Sequence, residues 1–193
     1  MSKRRERQGR KKKGKPYLVV GIIGALVIGG LGYMYVSTQG GDSGGPSAYL
    51  AGTWFNSATV SAGKVDVPTQ YVKENKLVFL DVKLGSAVSD VGFQGRTLPL
   101  SEYKSGGYIP LVLIYTPSGK VVSGVRVCEP CGSFSFHVVD GRYLRCDRCG
   151  TEWDIETMKG VSGGCVNYPP PPLATTVSSD VSVDVSALGL ALA

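Results

Sequence analysis

The sequence predicts a mostly β domain carried behind one N-terminal membrane-spanning helix, and three observations lead there. Two Cys-x-x-Cys pairs mark a metal-binding hairpin, a 20-residue uncharged run precedes the domain, and the segments between are short, β-rich and cut by turn residues.

The N-terminus is the first element. Residues 1–15 hold nine Lys or Arg against one Glu, a net +8, whereas the remaining residues hold 12 basic and 14 acidic side chains, a net −2. The overall +6 therefore describes a basic tail, residues 1–16, and the near-neutral remainder has no electrostatic footprint for a phosphate backbone. Nucleic acid is set aside as a partner. Residues 17–36 (YLVVGIIGALVIGGLGYMYV) carry no charge, and at ~1.5 Å rise per residue such a run spans ~30 Å of hydrocarbon. Tyr17 at one end and Tyr33 and Tyr35 at the other suit the two interfaces. The basic cluster before the run places the N-terminus in the cytoplasm and the rest of the chain outside, as a single-pass protein of the cell membrane. The run exceeds the usual length of a signal-peptide core and no clear small-x-small cleavage site follows, so an uncleaved anchor is expected. Residues 37–47 (STQGGDSGGPS) read as a Gly/Ser linker.

The extracytoplasmic domain is expected over residues 48–173. Segments 64–68, 76–83, 108–115 and 121–127 read as strands between Gly, Pro, Asn or Ser turns. No stretch offers a sustained 3.6-residue apolar period, so at most a helical turn is expected near residues 100–104. Thr116-Pro-Ser-Gly119 reads as a hairpin turn whose second strand runs into Cys128. Phe134, Phe136 and Val138 alternate on one face of the next strand, and Asp140-Gly141 turns the chain back toward Cys146. Residues 169–172 are a rigid proline run. Residues 174–193 form a C-terminal tail, expected to be frayed, although the alternation of Val181, Val183 and Val185 would suit an added edge strand.

Cys128, Cys131, Cys146 and Cys149 carry the chemistry. Each Cys-x-x-Cys presents two thiolates from one tight turn, and two turns at the ends of a hairpin complete a tetrahedron of sulfurs, a geometry that zinc and iron both accept. A pair of disulfides is the alternative outside the membrane, but it does not require this doubled spacing. Cys165, in Ser-Gly-Gly-Cys, is the odd fifth; ligand, shield of the site and thiol for another chain are its open roles. His137, the one histidine, falls on the polar face of its strand and reads as a surface residue. Arg142, Arg145 and Arg148 surround the second pair and either offset thiolate charge or sit solvated. Four thiolates leave no open position for water, which argues against a hydrolytic enzyme and toward a carrier or accessory protein.

The stretch from Cys128 to Leu173 resembles the FtrD-like membrane iron-sulfur protein family, through Cys128, Cys131, Cys146, Cys149, Gly163, Gly164 and Cys165, and departs from it after Cys165, where Val-Asn-Tyr precedes the prolines. The same stretch is similar in layout to a Rieske domain, with metal-binding turn, hairpin and second turn. A Rieske centre takes two His on one iron, and a single histidine excludes it. The fold class expected is a Rieske-like or rubredoxin-like β domain with a four-cysteine hairpin. The resemblance implies an iron-sulfur cluster or iron and single-electron transfer alongside membrane redox, respiratory or iron-transport partners. Arg4-Arg5 is followed by Glu6-Arg7-Gln8, not by the apolar residues of a twin-arginine signal, so the domain crosses unfolded. Zinc can be acquired after such a crossing, so a structural zinc site in an extracytoplasmic interaction domain without redox role is the alternative. Trp153 and Phe134 are expected to exclude water from the centre.

Overall fold

The computed structural model describes residues 48–193. The expected basic tail, membrane span and linker (1–16, 17–36 and 37–47) lie outside the described residues. Among the described residues no helix is long and apolar enough to cross a membrane.

The chain begins with β1 (Tyr49–Ala51) and β2 (Thr53–Trp54), the hairpin β3 (Thr59–Ser61) to β4 (Lys64–Pro68), helix α1 (Thr69–Asn75) and the long β5 (Leu77–Lys83). A small hairpin of β6 (Val91–Phe93) and β7 (Arg96–Leu98) precedes β8 (Tyr108–Tyr115) and β9 (Val121–Val125). Then come β10 (Phe136–Val139), β11 (Tyr143–Cys146), β12 (Glu152–Asp154) and β13 (Gly160–Ser162), and finally β14 (Ala174–Val177) and β15 (Asp180–Asp184).

These strands form three principal sheets, in the orders β1-β10-β11-β12-β13, β2-β5-β8-β9 and β14-β15-β4-β3. The second sheet lies between the other two, and its sequence shows why. In β5 and β8 apolar residues run nearly without interruption, as strands buried on both faces require. Val78, Leu80, Val82, Leu111 and Leu113 point into a hydrocarbon cluster shared with Val65, Val67, Val181 and Val183 of the third sheet. The alternate residues Leu77, Phe79, Val112 and Ile114 point the other way, into a second cluster with Phe136, Val138, Leu144, Trp153 and three cysteines, Cys128, Cys146 and Cys165. Strands β4 and β15, the inner pair of the third sheet, alternate buried Val with polar residues because only one face is covered.

The mostly β reading and the four expected strands agree with this architecture, with β9 ending at Val125 and the turn at 116–119 closing the β8–β9 hairpin. Three expectations need correction. Residues 69–75 form an α-helix where at most a turn near 100–104 was expected; that region instead holds two 3-10 turns, Leu100–Glu102 and Lys104–Gly106. The helix buries only Thr69 and Val72, too few positions to set a period, and is held by a Gln70–Glu74 hydrogen bond of 2.7 Å and by Thr69 Oγ1 donating to Ser178 O. The expected frayed tail is instead two strands, with Val181 and Val183 fully buried where β15 pairs with β4. Finally, Phe134 does not share a face with Phe136 and Val138. The strand begins only at Phe136, because Ser135 N–H bonds to Ser133 Oγ and bends the chain first, and Phe134 packs beside Tyr103 against the hydrocarbon cluster.

Candidate metal centre

Both cysteine pairs sit at strand ends. Cys128 follows β9, and the turn Glu129–Cys131 carries the chain to Gly132, whose φ of 62° is left-handed. Cys128 N–H to Ser133 O (2.8 Å) and Ser133 N–H to Cys128 O (3.3 Å) close this loop. Cys146 ends β11 opposite Phe136, and its loop closes through Cys146 N–H to Thr151 O and Gly150 N–H to Cys146 O, both 2.9 Å, with Gly150 at φ 68°. A left-handed residue at this place costs glycine least, and it turns each loop back so that both thiols of a pair face inward.

The four Sγ atoms lie within 4.8 Å of one another, and Cys131 Sγ is 3.6 Å from Cys146 Sγ across the two loops. No cysteine is disulfide-bonded among the described residues. Cys128 and Cys146 are buried, Cys131 is half-buried and Cys149 is exposed, so the cluster is sealed on the domain side and open at one edge. Contact with Cys146 and then burial push the Cys128 thiol up, and burial foremost pushes Cys131 up to about 12. Cys146 is lowered to about 4 by its bond with Cys128, then by Ser133 and the backbone N–H groups of Cys149 and Arg148. Burial raises the Cys149 thiol, but the hydroxyl and N–H of Thr151 and the other partners outweigh it and hold the group below its ordinary value. The site thus favours a thiolate at Cys146 through hydrogen bonds aimed at sulfur, from Cys128 first and then from Ser133 and the loop N–H groups.

The supporting shell is built from residues that spacing alone did not single out. Thr151, fully buried, places its Oγ1 3.3 Å from Cys149 Sγ and accepts the N–H of Cys165 at 3.1 Å. A Cβ on Gly163 (φ 101°) would lie 2.5 Å from that Oγ1, so this position is glycine because the segment passes against Thr151. Trp153, also fully buried, donates Nε1–H to Val166 O at 3.1 Å and fixes the far end of the same segment. Arg96, from the small hairpin, bonds Glu129 of the first loop and Pro169 O of the proline run.

The expected site residues divide accordingly. The quartet Cys128, Cys131, Cys146 and Cys149 is brought together; Cys165 is buried in the same apolar cluster but is not among the four. Trp153 occupies its expected place and Phe134 does not. His137 is no open surface residue: its side chain is 12% exposed, stacked on Tyr49 and bonded to Asp147 of the second loop. Arg142 and Arg145 pair with Asp154 and Glu152, and Arg148 of the second loop brings its Nη1 beside Gly132 of the first. The signal for Thr151 lies in its position just past the second Cys-x-x-Cys-Gly; the partners of the arginines leave no local signal.

A family described as membrane iron-sulfur containing protein FtrD-like matches residues 96–191. No curated protein matches the chain. The matched segment runs from β7 beyond β15 and contains both cysteine loops and the Gly-Gly-Cys segment. The iron-sulfur character of the family and the chemistry of four convergent thiols agree: the donor set fits iron-sulfur or metal binding.

Proposed function

We propose, from the premise that residues 96–191 fall in the FtrD-like membrane iron-sulfur family, that this is a membrane-anchored protein whose extracytoplasmic domain binds iron or an iron-sulfur centre and passes single electrons. Its anchor is the apolar run at 17–36, its N-terminus is cytoplasmic, and its partners are membrane redox or iron-transport proteins. Bound iron supplies the one-electron couple. Cys128, Cys131, Cys146 and Cys149 hold it, Trp153 and Phe136 exclude water from the inner side, and Thr151 and the loop N–H groups bond the sulfurs. The observation that carries this reading is the asymmetry of the quartet: two ligands buried, one exposed, so a centre held there reaches a partner through the Cys149 edge.

A second reading, a structural zinc site in an interaction domain with no redox role, draws on the same quartet, since four thiolates fill a tetrahedral ion and leave no open position. The two separate cleanly. The full chain, extracted in detergent and kept anaerobic, is expected to absorb visible light and to bleach reversibly with dithionite; a colourless protein holding zinc would overturn electron transfer, because zinc has no redox chemistry.

A further inference from the structure

We infer that the four thiolates close on a single metal ion and not on a multi-iron cluster. The inference rests on the reading that the quartet binds metal, and is independent of whether that metal carries electrons.

Ligand spacing is the first observation. Around one tetrahedral ion with metal–sulfur bonds of ~2.3 Å, sulfurs stand ~3.8 Å apart, the edge of that tetrahedron. The four Sγ atoms here all lie within 4.8 Å of one another, with 3.6 Å between Cys131 and Cys146. A cluster distributes the same thiolates over different irons, so the iron–iron separation and the bridging sulfides add to the distance between ligands on unlike irons. A quartet confined within 4.8 Å already has the span of one ion, with no allowance for a second metal and its sulfides.

The loops supply the second observation. Both read Cys-x-x-Cys-Gly, both place the glycine at nearly the same left-handed φ (62° and 68°), and in both the first cysteine is buried while the second lies nearer the surface. They are two copies of one device, and their four Sγ atoms converge within 4.8 Å of one another. The third observation is the packing behind that point. Phe136, Leu144 and the fully buried Trp153 share the apolar cluster with Cys128 and Cys146, and Thr151 stands against Cys149, so expansion of the site toward the domain would displace core side chains.

The test uses the full chain purified anaerobically in detergent, with metal and acid-labile sulfide counted per chain, followed by titration of the chelator-stripped protein with cobalt(II). The expected result is one iron or one zinc per chain, no labile sulfide, and a thiolate-to-cobalt spectrum that saturates at one equivalent. Two or more irons with matching labile sulfide, or cobalt saturating at two equivalents, would overturn the single-ion assignment while leaving the proposed metal-binding function intact. One zinc would support the single ion and overturn electron transfer. Absence of any metal together with failure to take up cobalt would overturn both.

Discussion

The two apolar clusters on either side of the middle sheet are built on different principles. One, between the second and third sheets, is hydrocarbon in its buried core, where Val65, Val67, Val78, Leu80, Leu111, Val181 and Val183 meet. The other, toward the first sheet, packs Phe136, Leu144 and Trp153 around Cys128, Cys146 and Cys165. The strands beyond it are short, three or four residues each from β10 to β13. The contrast teaches that the middle sheet serves as a rigid floor, secured on its hydrocarbon side, on which a less self-sufficient layer is completed by whatever the thiolates bind. Bound metal contributes directly to folding where ligands converge only in the native state.

The largest effect that would test this division comes from the buried ligand on the open layer. Structural thiolate sites contribute apparent binding energies of about 10–16 kcal/mol, so Cys146→Ser is expected to abolish stoichiometric metal, measured by elemental analysis, while the hydrocarbon side keeps its far-UV strand signal. On that opposite side, Leu80→Ala removes a fully buried side chain and is expected to cost about 2–5 kcal/mol in denaturant unfolding with the metal content per folded chain unchanged. If Leu80→Ala instead strips the metal, the two clusters are one unit and the division fails.

Smaller effects sharpen the metal side itself. Thr151→Val leaves the buried Cys165 N–H without its acceptor and removes the hydroxyl that lies 3.3 Å from Cys149 Sγ. A cost of about 1–3 kcal/mol in stability is expected, together with a lower reduction potential as the thiolate gains electron density, and Thr151→Ser should restore both. The potential is read by redox titration; a Val variant with unchanged potential removes Thr151 from the tuning of the centre. Finally, the metal must displace the protons that Cys128 and Cys131 retain at neutral pH, Cys131 until about 12. Affinity is therefore expected to fall as pH falls, by about tenfold per pH unit for each proton displaced, and competition with a chromophoric chelator at several pH values reads that slope.

What the sequence made legible was local chemistry and strong burial. The quartet was readable because Cys-x-x-Cys spacing alone limits where its thiols can go, and β5 and β8 because strands covered on both faces are apolar at nearly every position. The rest depended on partners distant in sequence. Val181 and Val183 alternate as a strand should, yet only pairing with β4 makes the tail a strand and not a frayed end. Phe134 looked continuous with Phe136 because period-two counting does not register the Ser133 hydroxyl that bends the chain between them. Arg142 and Arg145 stood beside the cysteines in sequence but are claimed by Asp154 and Glu152 across the sheet. Gly163 is intelligible only once Thr151 is seen against it.

Hydrogen exchange of the full chain, compared loaded and after anaerobic removal of metal, tests most directly whether the thiol-lined layer is completed by metal while the hydrocarbon side stands alone. The expected result is loss of protection in β10 to β13 and in both cysteine loops, with protection of β5, β8 and β15 retained. Equal protection in both states, or its uniform loss across all three sheets, would contradict it.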